Sequence, residues 1–375
     1  MSKCKKTFWL LLLCLALVTL FAACAAGNGE VQPDAGEAND GETAAEGTVT
    51  FTDSCGRELT VDAEITRIVP TGPMAQMVLL TIAPDLMAGI ATPWDDAQKA
   101  YIDEAYWDIP VLGQLYGGKG SMNLEEIAAI DAQVVIDVGE AKDSIVEDMD
   151  GLTQQLGIPA VHIEASLADM ATTFRLLGQL LNREEKGEEL AAYCEEVYNR
   201  SQEIMEQVGE DKVSMIYCLG DAGLNVLAKD SYHAELLDML ADNAAVVENP
   251  SSKGTGDEVD MEQLLVWDPQ VIVFSNDSVY DQVGDDAAWQ QLQAIADGNY
   301  YETPCGPYNW MCNPPSVNRY LGLIWLPSLL YPQYADYDLY TEVAKFYEMF
   351  YGHTLTEEEF AELTANAVPA EEAAA

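Results

Sequence analysis

The chain has 375 residues, of which 64 are Asp or Glu and 17 are Lys or Arg, so its formal net charge at pH 7 is -47. Such an acidic surface repels phosphate backbones, which argues against nucleic-acid binding, and it is repelled by an anionic membrane unless something tethers it. Hydrophobic residues make up 49% of the chain. That content argues against a disordered chain, and the length suffices for two domains.

Residues 1–24 have the pattern of an export signal. Lysines precede the apolar run Phe8–Ala23, which at about 16 residues is shorter than a transmembrane helix requires. Leu20–Cys24 resembles a bacterial lipobox, in which the cysteine becomes the lipid-modified first residue. Cys24 is therefore the predicted lipidation site. A plain secretory signal and an uncleaved anchor are the alternatives.

Residues 25–47 contain Gly, Ala, Glu, Asp and Asn with almost no large apolar side chain. Such a segment cannot bury enough surface to offset the entropy lost on ordering. It predicts a disordered acidic tether that holds a folded part away from the membrane.

From residue 48 onward, short apolar runs alternate with amphipathic segments, which is typical of an α/β protein. In the first half of the chain, the runs predict strands at 68–69, 86–90, 134–136 and 161–163, and the amphipathic segments predict helices near 73–82 and 143–156. A glycine-rich stretch, Gly113–Gly120, lacks the phosphate-loop pattern and predicts a turn.

One helix-to-strand unit occurs twice. Asn123–Ile136 and Asp260–Val273 match position by position, with identical Glu, Asp, Gln and Val at four sites. In each copy a capping residue, Asn123 or Asp260, starts a short helix with an apolar face, and Glu126 or Gln263 is predicted to complete a capping box. The continuous apolar run that follows predicts a buried parallel strand. Two separate copies indicate two similar lobes, because a solenoid needs at least three adjacent repeats.

Two helices are predicted between the copies. Apolar residues at helical spacing follow Leu167 as far as Leu181, and a second set runs from Leu190 to Val208. No linker rich in Gly, Ser or Pro separates the lobes, so the second helix, residues 184–208, is the predicted connector. The predicted fold is α/β, with two Rossmann-like lobes at 48–183 and 209–368, a long joining helix and a ligand cleft between the lobes.

The second lobe has the same alternating pattern. Its predicted strands are 213–217, 271–273 and 300–303, and its predicted helices lie near 232–241, 287–296, 316–330, 340–351 and 357–366. The sequence thus predicts that this lobe ends in three helices.

From Val49 to about residue 365, the chain resembles the helix-bridged solute-binding proteins of ABC importers for ferric siderophores, haem and cobalamin. The segments that carry the resemblance are Thr50–Val61, Arg67–Pro70 with Pro73, the two repeated units, Trp289–Tyr301, Gly306–Trp310 and Pro314–Leu326. Their order and spacing are specific for the family and not for the ligand.

The resemblance implies a lipid-anchored binding protein outside the cytoplasm that delivers a chelated metal to an importer permease. It implies no catalysis and no cofactor, and a monomer is expected. Family members often dock on the permease through a Glu after the Pro73 loop, where this chain has Met74–Met77. The first lobe therefore lacks the family's docking acid at this position, and Asp242 is the predicted docking acid of the second lobe.

Candidate ligand residues are those that follow predicted strands, since ligands bind at the carboxyl ends of strands in open α/β sheets. They are aromatic, acidic or basic side chains with enough reach to contact a ligand: Trp94, Tyr116, Glu140, Tyr217, Tyr232, His233, Trp310, Asn313 and Arg319. Arg319 could bind an oxyanion or carboxylate with two hydrogen bonds. The alternative for the aromatic residues is packing, and for Arg319 a salt bridge.

A bare metal-ion site is not predicted. The three histidines are scattered, and only His162 and Glu164 share a strand face, whereas transition-metal sites gather several ligands. Five cysteines remain after Cys24, with no CxxC pair; Cys305 and Cys312 could form a disulfide, and free thiols are the alternative.

Three functions stay open under this fold. The first is capture of a chelated metal, with an oxyanion such as molybdate as the alternative cargo. The second is a chelatase-like enzyme, although Gly-x-Ser-x-Gly, HExxH and CxxC motifs are absent from the sequence. The third is a structural surface protein, which would not need aromatic residues at the strand ends.

Overall fold

The computed structural model describes residues 47–116 and 122–369. The predicted signal segment, the lipidation site Cys24 and the tether as far as residue 46 lie outside these residues. Within the described part of the chain, no helix combines the length and the apolar character needed to cross a membrane.

The N-terminal lobe is a parallel sheet covered by helices, with a hairpin in front of it. The antiparallel hairpin is β1 (Thr48–Thr52) with β2 (Glu58–Asp62), and the sheet is β3 (Ile68–Pro70), β4 (Val134–Gly139) and β5 (Ala160–Glu164). The helices are α1 (Pro73–Ile82), α2 (Asp96–Lys99), α3 (Leu124–Ala129), α4 (Ile145–Leu156) and α5 (Met170–Leu181). Strand β4 is the central strand and is buried along its whole length, as a strand covered on both faces must be.

Hydrogen bonds connect the hairpin turn to the edge of β5. Arg57 pairs with the buried carboxylate of Asp53 at 2.6 Å and donates a hydrogen bond to the carbonyl of Ala160 at 2.7 Å. The backbone N–H of Ser54 donates to the carbonyl of His162 at 3.0 Å. The outer edge of β5 is therefore covered by the hairpin.

Helix α6 (Glu184–Val208) joins the lobes. Its 25 residues extend over roughly 37 Å at 1.5 Å per residue. It follows α5 directly, because Asn182 adopts the left-handed conformation that ends α5. The two helices approach closely where Gly178 faces Gly187.

The C-terminal lobe contains a mixed sheet in the order β11-β10-β6-β7-β9, with β8 also paired to β6. The strands are β6 (Ser214–Leu219), β7 (Asn225–Val226), β8 (Asp242–Asn243), β9 (Asp257–Glu258), β10 (Val271–Phe274) and β11 (Tyr300–Glu302). The helices are α7 (Glu235–Leu240), α8 (Met261–Trp267), α9 (Tyr280–Val283), α10 (Gln293–Ala296), α11 (Arg319–Leu330), α12 (Leu339–Tyr351) and α13 (Glu357–Leu363). Strands β6, β10 and β11 run parallel.

These elements confirm the predicted fold class, two α/β lobes joined by a long helix. The residue limits of the lobes stay predictions, because both lobes belong to one compact unit. Helix α11 lies in the core that the lobes share: its first nine residues, Arg319–Pro327, are all buried.

Three predicted elements differ from those in the structure. Residues 86–90 form no strand, because Met87 bridges to Ile68 and Ile90 bridges to Val111, so no single partner strand continues beside them. The predicted helix 232–241 starts as a 3-10 turn, Tyr232–Ala234, before α7. The predicted helix 287–296 is a 3-10 turn, Trp289–Gln291, followed by α10.

Candidate functional site

A cleft lies between the lobes, where the parallel strands of the N-terminal lobe end. Its volume is about 260 Å³. The residues that line it come from the loop after β3, the start of α1, the segment before α3, the end of β4 with the loop after it, and the C-terminal lobe: Thr71, Gly72, Pro73, Met74, Ala75, Tyr116, Asp137, Val138, Gly139, Glu140, Lys142, Tyr232, His233 and Ser252. The carboxyl ends of parallel strands are the usual ligand site of this architecture.

Helix α1 begins at the cleft without a side-chain cap. Its N-cap is Gly72, which has no side chain to accept a hydrogen bond, and Pro73 occupies the first helical position. The N–H groups of the first turn thus face the cleft with no capping oxygen, and the helix dipole adds partial positive charge there. This end of α1 favours a negatively charged atom.

A lysine and a tyrosine form the basic part of the wall. The Lys142 ammonium lies 3.6 Å from the centre of the Tyr116 ring. The Tyr116 hydroxyl donates a hydrogen bond to Asp148 at 2.9 Å, and burial together with that bond raises the Tyr116 pKa far above its usual range. Tyr116 therefore stays protonated and holds the lysine charge at the cleft.

Two carboxylates, Asp137 and Glu140, form the acidic part of the cleft. Asp137 is almost completely buried at the floor, where it accepts hydrogen bonds from the Thr71 hydroxyl and from His162 Nδ1, the latter at 2.7 Å. His162 is fully buried, and its Nε2 has no hydrogen-bond partner among the described residues. Glu140 is exposed at the mouth of the cleft.

Tyr232 and His233 form the wall on the C-terminal lobe. The Tyr232 hydroxyl donates to the carbonyl of Ala165 across the lobe boundary at 3.0 Å. Burial raises the Tyr232 pKa to about 12, against the opposing effect of Arg319. Burial lowers the His233 pKa, so the imidazole is neutral at pH 7. This wall is therefore uncharged.

Arg319 lies behind Tyr232. The guanidinium carbon is 5.6 Å from the centre of the Tyr232 ring, and the side chain is fully buried. Its Nη1 pairs with Glu235 at 2.6 Å, whereas Nε and Nη2 have no hydrogen-bond partner in the described part of the chain. Arg319 thus places positive charge close to the cleft without lining it.

The structure brings four of the predicted ligand residues together at the cleft: Tyr116, Glu140, Tyr232 and His233. Arg319 lies directly behind them. The remaining candidates lie elsewhere. The Trp94 indole is buried and donates to the carbonyl of Tyr106 at 2.9 Å.

Tyr217 and Trp310 are fully buried in the C-terminal lobe. The Tyr217 hydroxyl accepts a hydrogen bond from Asn309 at 3.1 Å and another from Thr303 at 3.3 Å. Asn313 is exposed and is not among the described residues that line the cleft. None of these three side chains forms part of the cleft wall.

Several cleft residues were not among the sequence candidates: Thr71, Asp137, Lys142, Ser252 and the first turn of α1. Thr71 directly follows β3, and Lys142 lies three residues after the end of β4. The rule that ligands meet strand ends would have found both. Asp137 lies inside β4, so only its contacts identify it.

The two places considered for permease docking, Asp242 and the segment Met74–Met77, differ in burial. Asp242 is exposed and lies 3.4 Å from the Lys229 ammonium, so its docking role stays a prediction. Gln76 is buried and binds the loop at residues 91–92, accepting hydrogen bonds from the N–H groups of Ala91 and Thr92. The N-terminal lobe therefore uses this position for packing.

The cysteines and the histidines form no centre among residues 47–116 and 122–369. Cys305 is exposed, Cys312 is buried, and both are free thiols, so the disulfide left open by the sequence is not formed. No group of three or more His, Cys, Asp or Glu side chains within these ranges is placed to hold a metal ion.

The family model described as "periplasmic binding protein" matches residues 75–305. An ABC transporter solute-binding protein from Sulfurospirillum deleyianum has a similar structure, with a TM-score of 0.78 and 26% identity over 84% of this chain and 99% of that one. No curated protein matches the chain by sequence.

Two further solved structures share the fold. The molybdate-bound periplasmic protein MolA of Haemophilus influenzae has a TM-score of 0.66 and 20% identity, over 82% of this chain and 99% of that one. Helicobacter pylori CeuE in a Ni-His complex has a TM-score of 0.59 and 14% identity, over 84% of this chain and 98% of that one. These neighbours agree with the family resemblance found in the sequence.

Proposed function

Because the chain belongs to the periplasmic binding protein family, we propose that it captures a small metal chelate in the cleft between its lobes. Proteins of this family act outside the cytoplasm, bind a small molecule and deliver it to the permease of an ABC importer. In the proposed role the protein is a monomer, it performs no catalysis, and lipid on Cys24 anchors it to the cell membrane. Mass spectrometry of the mature wild-type protein tests the anchor: an N-terminus other than a lipid-modified Cys24 would refute it.

The presence of both signs of charge in one cavity supports this cargo. The uncapped start of α1 and the Lys142 ammonium favour anionic atoms, whereas Asp137 and Glu140 favour a positive centre. A metal ion that carries carboxylate ligands offers both. The neutral rings of Tyr116, Tyr232 and His233 then contact the apolar part of the chelator.

The volume of the cleft favours a small cargo. Pockets for drug-sized ligands measure roughly 300–1,000 Å³, and this cleft measures about 260 Å³. A larger chelate, such as haem or cobalamin, would have to extend into the adjoining cavity of about 630 Å³, which shares Glu140 and Tyr232 with the cleft. A metal bound by one or two amino acids or small carboxylates fits, and the Ni-His complex with CeuE is a cargo of this kind.

A free oxyanion such as molybdate is the second candidate, as MolA is described bound to molybdate. The start of α1, Lys142 and the nearby Arg319 favour it. The two carboxylates at the same cavity oppose it, because like charges repel, and the repulsion is stronger at the buried Asp137 than at the exposed Glu140. The metal chelate is therefore the better match.

The discriminating experiment changes one carboxylate. Glu140 is exposed, so Glu140→Gln removes its charge with little effect on folding. We expect wild-type protein to be stabilised by Ni-histidine in a thermal-shift assay, with about 2.7 kcal/mol added at 100 times the dissociation constant. The variant should bind Ni-histidine more weakly and molybdate more strongly.

The matched control is Glu147→Gln, since Glu147 is exposed on α4 and does not line the cleft. It should bind both ligands as the wild type does. If wild-type protein binds molybdate alone, the oxyanion is the cargo. If haem or cobalamin stabilises the protein, the cargo is a larger chelate that extends beyond the cleft; if no ligand does, the transport role fails.

A further inference from the structure

A second cavity, of about 460 Å³, lies at the far end of α1. We call it the α1–α12 pocket; it is lined by the ends of α1 (Leu80–Ile82) and α12 (Glu348–Tyr351), by residues 100–103, and by Tyr106 and Lys186, among others. The first turn of α1 lines the cargo cleft and its last turn lines this pocket. The two sites are about 10 Å apart along the helix axis, and the second site does not depend on the proposed cargo.

The backbone gives the α1–α12 pocket negative character. Helices α1 and α12 both end at its wall, and neither has a basic residue in its last turn. The last carbonyls of each helix have no intrahelical partner and carry the negative end of the dipole. Two helix ends of the same sign at one cavity favour a cation.

The side chains add to this character. The carboxylates of Asp103 and Glu348 line the pocket, together with Tyr101 and Tyr106. The Tyr101 ring is held edge-on to Tyr347 and to His353, with centroids 5.4 and 5.2 Å away. Carboxylates beside aromatic rings are the groups that recognise organic ammonium ions.

The pocket already contacts one ammonium group. Lys186 Nζ donates hydrogen bonds to the carbonyl of Met349, in the last turn of α12, at 3.1 Å and to Glu189 at 3.0 Å. Glu189 follows on the same helix, so Lys186 can keep that partner while it releases the α12 carbonyl. A ligand ammonium can then take the place of Lys186 at Met349.

From these contacts we propose that the α1–α12 pocket binds an organic ammonium ion with an apolar or aromatic body. The ammonium meets Glu348, Asp103 and the ends of the two helices, and the body lies against Tyr101 and Tyr106. The pocket volume of about 460 Å³ is within the range of small-molecule sites, so an ammonium ion with one aromatic ring fits beside Lys186.

A charge series on one scaffold tests the proposal by isothermal titration on the purified protein. The probes are the phenethylammonium ion, neutral 2-phenylethanol and anionic 3-phenylpropionate. We expect the cation to bind and the other two to bind more weakly or not at all. Equal binding of the alcohol, or preferential binding of the anion, would overturn the proposal.

Variants place the cation in the pocket. Glu348→Gln and Asp103→Asn should each weaken its binding about threefold, as expected for partly solvated charges, and Lys186→Met should strengthen it by a similar factor. The matched control is Glu358→Gln, an exposed acid on α13 that does not line the pocket, which should leave binding unchanged.

The acid variants and Lys186→Met should change the affinity in opposite directions, which separates a local effect from a folding defect. Unchanged binding in the three pocket variants, or loss of binding in Glu140→Gln at the cargo cleft, would refute the site.

Discussion

At the scale of single residues, Arg319 and Glu235 determine which charges near the cleft can be altered. Arg319 is fully buried and its only ion pair among the described residues is with Glu235, whose side chain is 31% exposed. Removing one partner of a buried pair leaves an uncompensated charge and costs roughly 3–5 kcal/mol, less where the partner is partly solvated. Glu235 also accepts a hydrogen bond from the N–H of Leu167. Substitutions here would therefore confuse ligand binding with stability, whereas Glu140 and Lys142 are free of this problem.

His233 makes the stability of the protein depend on pH. Burial lowers its pKa below the ordinary value of about 6.5. Between the folded and unfolded pKa values the unfolded chain binds a proton that the folded protein does not, so the free energy of unfolding decreases as pH falls. We expect wild-type protein to lose stability relative to His233→Gln below about pH 6.5.

Urea denaturation from pH 7.5 to pH 5 measures this difference. Above the unfolded pKa, the gap in unfolding free energy between wild type and variant should be constant, because neither state of wild type is then protonated at His233. Curves that stay parallel through pH 6, or a wild type that gains stability on acidification, would contradict the burial of this imidazole.

The sequence could predict only some of the site residues. Glu140 follows a predicted strand, Tyr116 lies in the glycine-rich stretch, and Tyr232 with His233 opens a predicted helix. All four line the cleft. Tyr217 is the end of the predicted strand 213–217, but it lies inside β6 and its side chain is fully buried. The side chain's direction depends on packing from distant segments, which a local pattern does not contain.

At the scale of elements, the sequence repeat is explained by matching contacts. Asp131 and Asp268 both have positive φ, 52° and 38°, at the turn between helix and strand, a conformation that Asp tolerates better than most residues. Gln133 accepts a hydrogen bond from the N–H of Arg67 just before β3, and Gln270 accepts one from the N–H of Ser214 at the start of β6. Each glutamine therefore fixes the strand next to its own.

The predicted helix caps are half confirmed. Asn123 accepts a hydrogen bond from the N–H of Glu126, and Asp260 accepts one from the N–H of Gln263. The reciprocal bond of a capping box is not formed at α3: the Glu126 carboxylate instead accepts from the Asn123 side chain at 3.0 Å. The identity of a cap can be predicted from sequence, but the rotamer of its partner cannot.

The contact between α5 and α6 predicts an unusual effect of alanine. A Cβ at Gly187 would lie 2.6 Å from the carbonyl oxygen of Phe174 and 3.1 Å from Gly178 Cα. Alanine improves helix propensity by up to about 1 kcal/mol, whereas overpacking costs typically 1–3 kcal/mol. Because the obstacle is backbone, the cost should prevail, and we expect Gly187→Ala to lower the free energy of unfolding by about 1 kcal/mol or more.

Gly151, inside α4, is the matched control. A Cβ there meets nothing within 4 Å, so Gly151→Ala should stabilise the protein by roughly 0.5–1 kcal/mol through propensity alone. Chemical denaturation of both variants gives the comparison. Stabilisation by both substitutions would show that α5 and α6 can move apart at little cost.

At the scale of the whole molecule, the architecture could be predicted because it follows from the repeat and from the absence of a flexible linker. Two copies of one unit indicated two lobes, and a helical pattern between them indicated the connector. Which surfaces meet across the cleft could not be predicted. The lobes share the apolar core around α11 and are also joined by hydrogen bonds, such as that from the Tyr320 hydroxyl to the carbonyl of Leu167 at 2.7 Å. Contacts between distant segments of this kind have no local sequence pattern.

The same features limit how far the lobes can move when cargo binds. Helix α6 connects the lobes with 25 residues of continuous helix, and hydrogen bonds already join them, from Tyr320 to Leu167 and from Ser316 to Met74. A ligand shifts an equilibrium only by its difference in affinity for two states, and a helical connector with existing bonds offers no widely open state.

A folded part of this size has a radius of gyration of about 20 Å. We expect small-angle X-ray scattering to show a change of no more than about 1 Å when Ni-histidine is added at saturation, as for partners that are preorganised. Sucrose, which carries neither a metal nor a charge, is the control for effects of added solute. A contraction of several ångströms with Ni-histidine alone would mean that α6 bends and that the cleft opens far beyond its present volume, and larger chelates would then fit as cargo.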